Sequence, residues 1–246
     1  MEILVIPSVN EARMDDLANK TVIVIDVLRA TSTMLTALAH GCRAIIPVET
    51  VLQAKQLQQP GYLLGGERAC KKIPGFDFGN SPFEYMDDKI TGKHLVMTTT
   101  NGTRSIQKSL KASTIIAASL LNGKACAKEA AALKKDIVIL CSGTQDIYAF
   151  EDGICAGQLI EELQTALQAA GCTEPEINDL GLSMLYAYRQ VQGNMTQALL
   201  NCANGKRLSK LGFTDDIIYC SRLNLIQLVP IIQDGQLVAS PVNQFI

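Results

Sequence analysis

Four short stretches gather the residue types that handle phosphate: "DVLRATST" (26–33), "GGER" (65–68) with the "FDFGNSP" loop (76–82), "TTTNGTR" (98–104) and "CSGTQDIYAFEDGICAG" (141–157). Asp26, Glu67 and Asp152 are carboxylates, and oxygen ligands with few histidines suit Mg²⁺, not zinc. Arg29, Arg68 and Arg104 carry planar forks that match the oxygens of an anion. Thr31 and Ser32, and then Asn101, Gly102 and Thr103, fall where a strand gives way to a helix, so their hydroxyls and the free N–H groups of the first turn form an anion cradle. Arg104 sits in such a first turn, where it opposes the helix dipole; an anion bound beside it accounts for the mismatch. Ser142 and Gly143 end a further strand. Mg²⁺ together with arginines is the equipment of phosphoryl transfer, in which charge on the equatorial oxygens must be offset. Three of the stretches also have a plainer structural account: Ser/Thr caps at 31–33, a surface turn at 77–82, and an ordinary helix-start acid at Glu151, whereas Asp152, followed by a glycine that leaves room, is the better ligand candidate.

Other chemistries lack their signatures. There is no GxGxxG and no GxxxxGK[ST], so neither a dinucleotide fold of the usual kind nor a P-loop is supported. Only His40 and His94 are present, and no GxSxG elbow exists. Ile147 stands six residues after Cys141, where a cysteine phosphatase needs arginine. Leu28 stands where the aspartyl-phosphate enzymes place a second aspartate. The eight cysteines form no CxxC pair and read as small core residues.

The elements that must position these residues alternate between two periods. "TVIVID" (21–26) is a continuous apolar run, as in a strand covered on both faces. Helical spacing over 31–41 follows, ending at Gly41. Strand-like runs at 42–49, 61–68, 93–100, 113–120 and 136–143 alternate with helical ones at 50–59, 101–110, 122–135 and 150–171, the last stopping at Gly171. Such βαβα order predicts an α/β fold with a mainly parallel or mixed sheet flanked by helices. Sheets of that kind place ligands at strand carboxyl ends, where the four stretches lie. From 175 onward the pattern becomes more helical, with breaks near Gly193 and Gly205, and "LVPIIQDGQLVAS" (228–240) reads as a β-hairpin turning at Asp234-Gly235. The expected organisation is therefore a core over 1–174 that carries the site, with 175–246 packed on the same unit and no linker between them. The hairpin can pair within the sheet or between two copies, which makes a homodimer compatible with the sequence.

Of 246 residues, 48% are hydrophobic and 19% charged, enough apolar content for a sizeable core. A net charge of −2 provides no field for nucleic acid or an anionic membrane, so positive charge for an anionic substrate must be local. No apolar run approaches a membrane span, and the start "MEILVIPSVNEAR" has no basic leader, so a cytoplasmic location is expected.

The set "DVLRATST", "GGER", "FDFGNSP", "TTTNGTR", "CSG" and "FEDGICAG", in this order from about residue 21 to 157, resembles the 2-phosphosulfolactate phosphatases of the ComB family. The resemblance implies a Mg²⁺-dependent hydrolase that removes phosphate from 2-phospho-3-sulfolactate, a step toward coenzyme M. Among the residues inside these motifs, Asp26, Glu67 and Asp152 would be candidate metal ligands, and Arg29, Arg68 and Arg104 would hold the phosphate and the sulfonate or carboxylate; we assign the catalytic part to Asp26, Arg29 and Arg104. Arg68, Thr31, Ser32, Asn101, Gly102, Thr103 and Ser142 would bind substrate. The alternative from another class is a non-catalytic binder of phosphorylated or sulfonated metabolites.

Overall fold

The computed structural model describes residues 1–240; the expected C-terminal region runs six residues beyond them. Eleven strands form one sheet: β1 (Glu2–Ile6), β2 (Thr21–Ile25), β3 (Ala44–Pro47), β4 (Tyr62–Arg68), β5 (Lys71–Lys72), β6 (His94–Thr98), β7 (Thr114–Ala118), β8 (Ile137–Cys141), β9 (Glu176–Ile177), β10 (Pro230–Gln233) and β11 (Gln236–Ala239). The helices are α1 (Met14–Leu17), α2 (Ala30–Ala39), α3 (Val51–Gln56), α4 (Gly102–Lys108), α5 (Gly123–Ala132), α6 (Phe150–Ala169), α7 (Asp179–Val191), α8 (Met195–Asn201), α9 (Ala203–Lys210) and α10 (Thr214–Cys220). The class is α/β, with a mixed sheet flanked by helices.

Every residue of β2 and of β8 is buried, as their unbroken apolar runs require of strands covered on both faces. The order across the sheet is β5-β4-β6-β3-β11-β10-β7-β2-β8-β1-β9. The strands β7, β2, β8, β1 and β9 are mutually parallel, and so are β4, β6 and β3. Between these two groups lies the C-terminal hairpin, antiparallel to β3 on one side and to β7 on the other. Asp234 (φ 48°) and Gly235 (φ 76°) make its turn, the left-handed pair that a two-residue hairpin loop needs.

Four inter-strand steps separate β2 from β3, about 19 Å along the sheet. Yet Val22 and Val24 of β2 share one buried cluster with Ile45 of β3 and with Leu95 and Met97 of β6. Met34 and Ala37 of α2 and Ile106 of α4 belong to the same cluster, and α4 packs against both β2 and β3. The sheet therefore curls around these two helices, and their N-termini are brought together. A second cluster on the other face joins β2, β7 and β8 to α5, α6 and α7.

Gly171 (φ 68°) stops α6 as expected. The break expected near Gly205 comes earlier, at Cys202, and Gly205 lies inside α9. Its missing side chain is what allows α9 to press against the Leu199 carbonyl. No helix among the described residues is long and apolar enough to cross a membrane.

Candidate active site

The chain leaves β2 at Ile25 and turns over Val27–Arg29 into α2. Asp26 ties this turn together. Its Oδ1 accepts the Ala30 N–H (3.0 Å), its own N–H donates to Thr31 Oγ1 (2.9 Å), and its carbonyl accepts the Thr31 hydroxyl (2.9 Å). Ser32 donates to the Val27 carbonyl (2.8 Å), and Thr33 to the Asn80 carbonyl (3.0 Å). Thr31 and Ser32, expected to bond substrate, are fully buried and spend their hydroxyls holding the turn.

Two further strand ends meet Asp26. After β6, Thr103 Oγ1 accepts the Thr99 N–H (3.1 Å) and donates to the Thr99 carbonyl (3.1 Å), which folds Thr99–Asn101 into a tight entry to α4. Gly102 then lies directly against Asp26: a Cβ there would stand 2.8 Å from Asp26 Oδ2 and 2.5 Å from Ala30 Cβ. At the end of β4, Glu67 Oε1 accepts the Thr100 N–H (2.9 Å) and hydroxyl (2.8 Å), and Oε2 accepts the Cys70 N–H (2.7 Å). Burial, with repulsion from Glu67 and Glu151 added, pushes the Asp26 carboxyl up to about 7, against hydrogen bonds from Ala30 and Gly102.

Asp152, in the first turn of α6, is 2% exposed. Its oxygens accept the Val27 N–H (2.9 Å) and the Gly143 N–H (3.0 Å), so it braces the ends of β2 and β8 against each other. Burial, chiefly, and the Asp26 and Glu151 charges raise its carboxyl well above the ordinary range. Glu151 accepts the Asn204 amide (2.6 Å) and the Cys202 thiol (3.2 Å), which docks the start of α9 onto the same corner.

These ends enclose a pocket of about 280 Å³. Of the expected residues, Asp26, Arg29, Glu67, Arg68 and Asn101 line it, with Gly102 immediately beneath. Arg29 is nearly buried, bonded to Asp216 (2.5 Å) and stacked over Phe213 at 4.2 Å. Arg68 donates to the Glu67 and Glu49 carbonyls and to Thr98 Oγ1. Thr31, Ser32, Thr103, Ser142 and Asp152 stand behind the wall, outside the lining. Arg104 points elsewhere: it is 40% exposed and bonded to Asp146 (2.7 Å) and Asn10 (2.6 Å). Sequence reasoning missed Arg207 and Asn204 on α9 and Cys70, all of which line the pocket. The one signal was the basic run in "GKRLSK" (205–210). A larger hollow of about 600 Å³ between α6 and α7 contains none of the four stretches, and its Arg189 is already paired with Glu161.

The lining fits a divalent cation of the Mg²⁺ kind, which uses one or two carboxylates and keeps waters and substrate oxygens for the rest of its shell. Asp26 and Glu67 provide the carboxylates. Asn80, 7% exposed and also in the lining, has an Oδ1 that is buried without a hydrogen-bond partner. Among the described residues no three His, Cys, Asp or Glu side chains gather closely enough to hold an ion alone.

Comparison with known proteins gives one consistent result. The family model described as 2-phosphosulpholactate phosphatase matches residues 6–235. The "probable 2-phosphosulfolactate phosphatase" of Symbiobacterium thermophilum is 38% identical over 235 residues, covering 94% of this chain and 98% of the relative. The relative of the same description in Clostridium acetobutylicum is 38% identical over 243 residues, covering 96% and 100%. That of Clostridium perfringens is 40% identical over 243 residues, covering 96% of each.

Proposed function

This chain belongs to the 2-phosphosulpholactate phosphatase family, and from that premise we propose that it is a Mg²⁺-dependent phosphatase converting 2-phospho-3-sulfolactate to 3-sulfolactate and phosphate. We place the reaction in the cytoplasm, on a route toward coenzyme M. The observation that supports the reaction class is the pocket itself, where two carboxylates, Asp26 and Glu67, face a lining that holds Arg29, Arg68 and Arg207. Carboxylates without a cation would repel a phosphate ester, and arginines without carboxylates would serve a simple binder.

Glu67 and Asp26 would hold Mg²⁺, which when bound supplies charge to offset the phosphoryl oxygens and polarises the P–O bond. Arg29 and Arg68 face the same oxygens with fixed forks: Asp216 and Phe213 hold the first, and backbone carbonyls hold the second. The Asp26 carboxylate, held through Oδ1 by Ala30, takes the proton of the attacking water as the water's oxygen bonds to phosphorus. The P–O bond to the lactate oxygen breaks, and that oxygen takes its proton from solvent.

The test is phosphate release from 2-phospho-3-sulfolactate by the purified protein, with Mg²⁺ and with EDTA. Release that stops in EDTA and returns with Mg²⁺ is the expected result. Release indifferent to chelation overturns the metal assignment, and binding without release makes the protein a sensor of such esters.

A further inference from the structure

Three arginines line the pocket, and two of them have donors already committed. Arg29 is engaged by Asp216, the Cys70 carbonyl and the Phe213 ring. Arg68 is engaged by Glu67, Glu49 and Thr98. The Arg207 side chain makes no hydrogen bond and no ion pair among the described residues, although the residue is half-buried in the lining. Its five donors are free. The charge is close enough to Cys70 to oppose the burial-driven rise of that thiol.

The backbone beneath Arg207 is firmly set. Asn204, three residues earlier, bonds Thr144 (2.5 Å) and Glu151 (2.6 Å), and Leu208, next in the chain, is 2% exposed. Arg207 also belongs to a shallower hollow beside the pocket, shared with Ala69, Lys206 and Lys210. It therefore stands at the lip, with exposed lysines outside it, and the hydroxyl turn at Thr99–Asn101 and the carboxylates of Asp26 and Glu67 lie in the deeper pocket alone. A positively charged, unspent fork at the lip is placed for an anionic group other than the one that reacts.

We propose that Arg207 is a specificity residue: it takes the non-reacting anionic group, carboxylate or sulfonate, of a substrate whose phosphate enters the deeper pocket. This rests on the phosphatase reading above and adds to it the element that recognises the second charge, α9. Because Arg207 touches a group whose charge does not change in the reaction, it acts on binding and not on the chemical step.

The test compares the wild type with Arg207→Ala and Arg207→Lys on three esters: 2-phospho-3-sulfolactate, 2-phospholactate, which lacks the sulfonate, and p-nitrophenyl phosphate, which lacks any second anion. Expected is a KM for 2-phospho-3-sulfolactate raised about 30-fold or more in Arg207→Ala with kcat within about threefold, and partial recovery in Arg207→Lys. The ratio of its kcat/KM to that of p-nitrophenyl phosphate should fall at least about tenfold. A KM effect confined to the sulfonated ester assigns the sulfonate, and an equal effect on 2-phospholactate assigns the carboxylate. Equal losses of kcat on all three esters overturn the proposal and move Arg207 to the phosphoryl group; an unchanged KM removes it from the site. Calorimetric binding of 3-sulfolactate to the same proteins separates the two readings. Binding that weakens in Arg207→Ala without turnover by the wild type keeps this inference and sinks the phosphatase, whereas turnover with binding unchanged in Arg207→Ala does the reverse.

Discussion

Asp26 sits where three demands meet: it caps α2, it packs against Gly102, and it faces the pocket. Its carboxyl, raised from an ordinary 3.8 to about 7, keeps in the folded state a proton that the unfolded chain gives up. The folded protein is therefore favoured at low pH, and that advantage is lost as pH rises from about 4 through about 7. In metal-free buffer at pH 8, Asp26→Asn should be more stable than the wild type by about 1–4 kcal/mol, with the difference gone near pH 4. Adding Mg²⁺ at pH 8 should raise the wild-type melting temperature by several degrees and that of Asp26→Asn by less than half as much. Equal shifts, followed by calorimetry, would remove Asp26 from the cation site. Residue identity alone did not separate the roles of the acids. Asp26, Glu67 and Asp152 look alike in the sequence, but only the first two line the pocket. Glu67 and Asp152 both have their two oxygens occupied by donors, so what separates them is position: the Val27 and Gly143 N–H groups hold Asp152 behind the wall, where the ends of β2 and β8 adjoin. Arg104 is similar: its place in a helix's first turn was legible, but not that Asp146 and Asn10 would draw it outward.

Among the elements, α10 shows how a distant segment completes the site. Asp216 accepts from Arg29 and from Ser81 (2.8 Å), joining the turn after β2 to the "FGNSP" loop through a buried carboxylate. Removing one partner leaves the other charge buried and alone, so Asp216→Ala should cost about 3–5 kcal/mol in urea unfolding. The double variant Arg29→Met/Asp216→Leu should be clearly less destabilised than the sum of its single substitutions. Additive losses would show that the pair is not coupled. The alternation of strands and helices over the first 171 residues was readable because buried strands and amphipathic helices differ in period. The break at Cys202 was not, because Gly205 marks a close approach to Leu199 and not a chain stop.

Over the whole molecule, the C-terminal hairpin joins two parallel groups of strands into one sheet. Leu237, fully buried, pairs with Ile45 of β3 and belongs to the core shared by both groups. Leu237→Ala should cost about 2–5 kcal/mol. Unfolding should remain a single transition, with fluorescence and circular dichroism coinciding, because Val22 and Val24 of β2, Ile45 of β3, Leu95 of β6 and Leu237 of the hairpin share one buried cluster. Two separated transitions would show that the groups fold independently.

By itself, the sequence determined the class of fold, the hairpin and its turn, the strand ends that border the pocket, and the family. These follow from local periodicity, turn residues and short contiguous motifs, all of which act within a few positions of the chain. Tertiary structure alone decided which of those residues face one another. The curl of the sheet around α2 and α4 brings Gly102 against Asp26, docking of α9 brings Arg207 to the lip, and α10 supplies the partner of Arg29. Contacts between positions 76 to 187 residues apart leave no local trace in the chain, because their energy comes from packing that exists only once the sheet has closed.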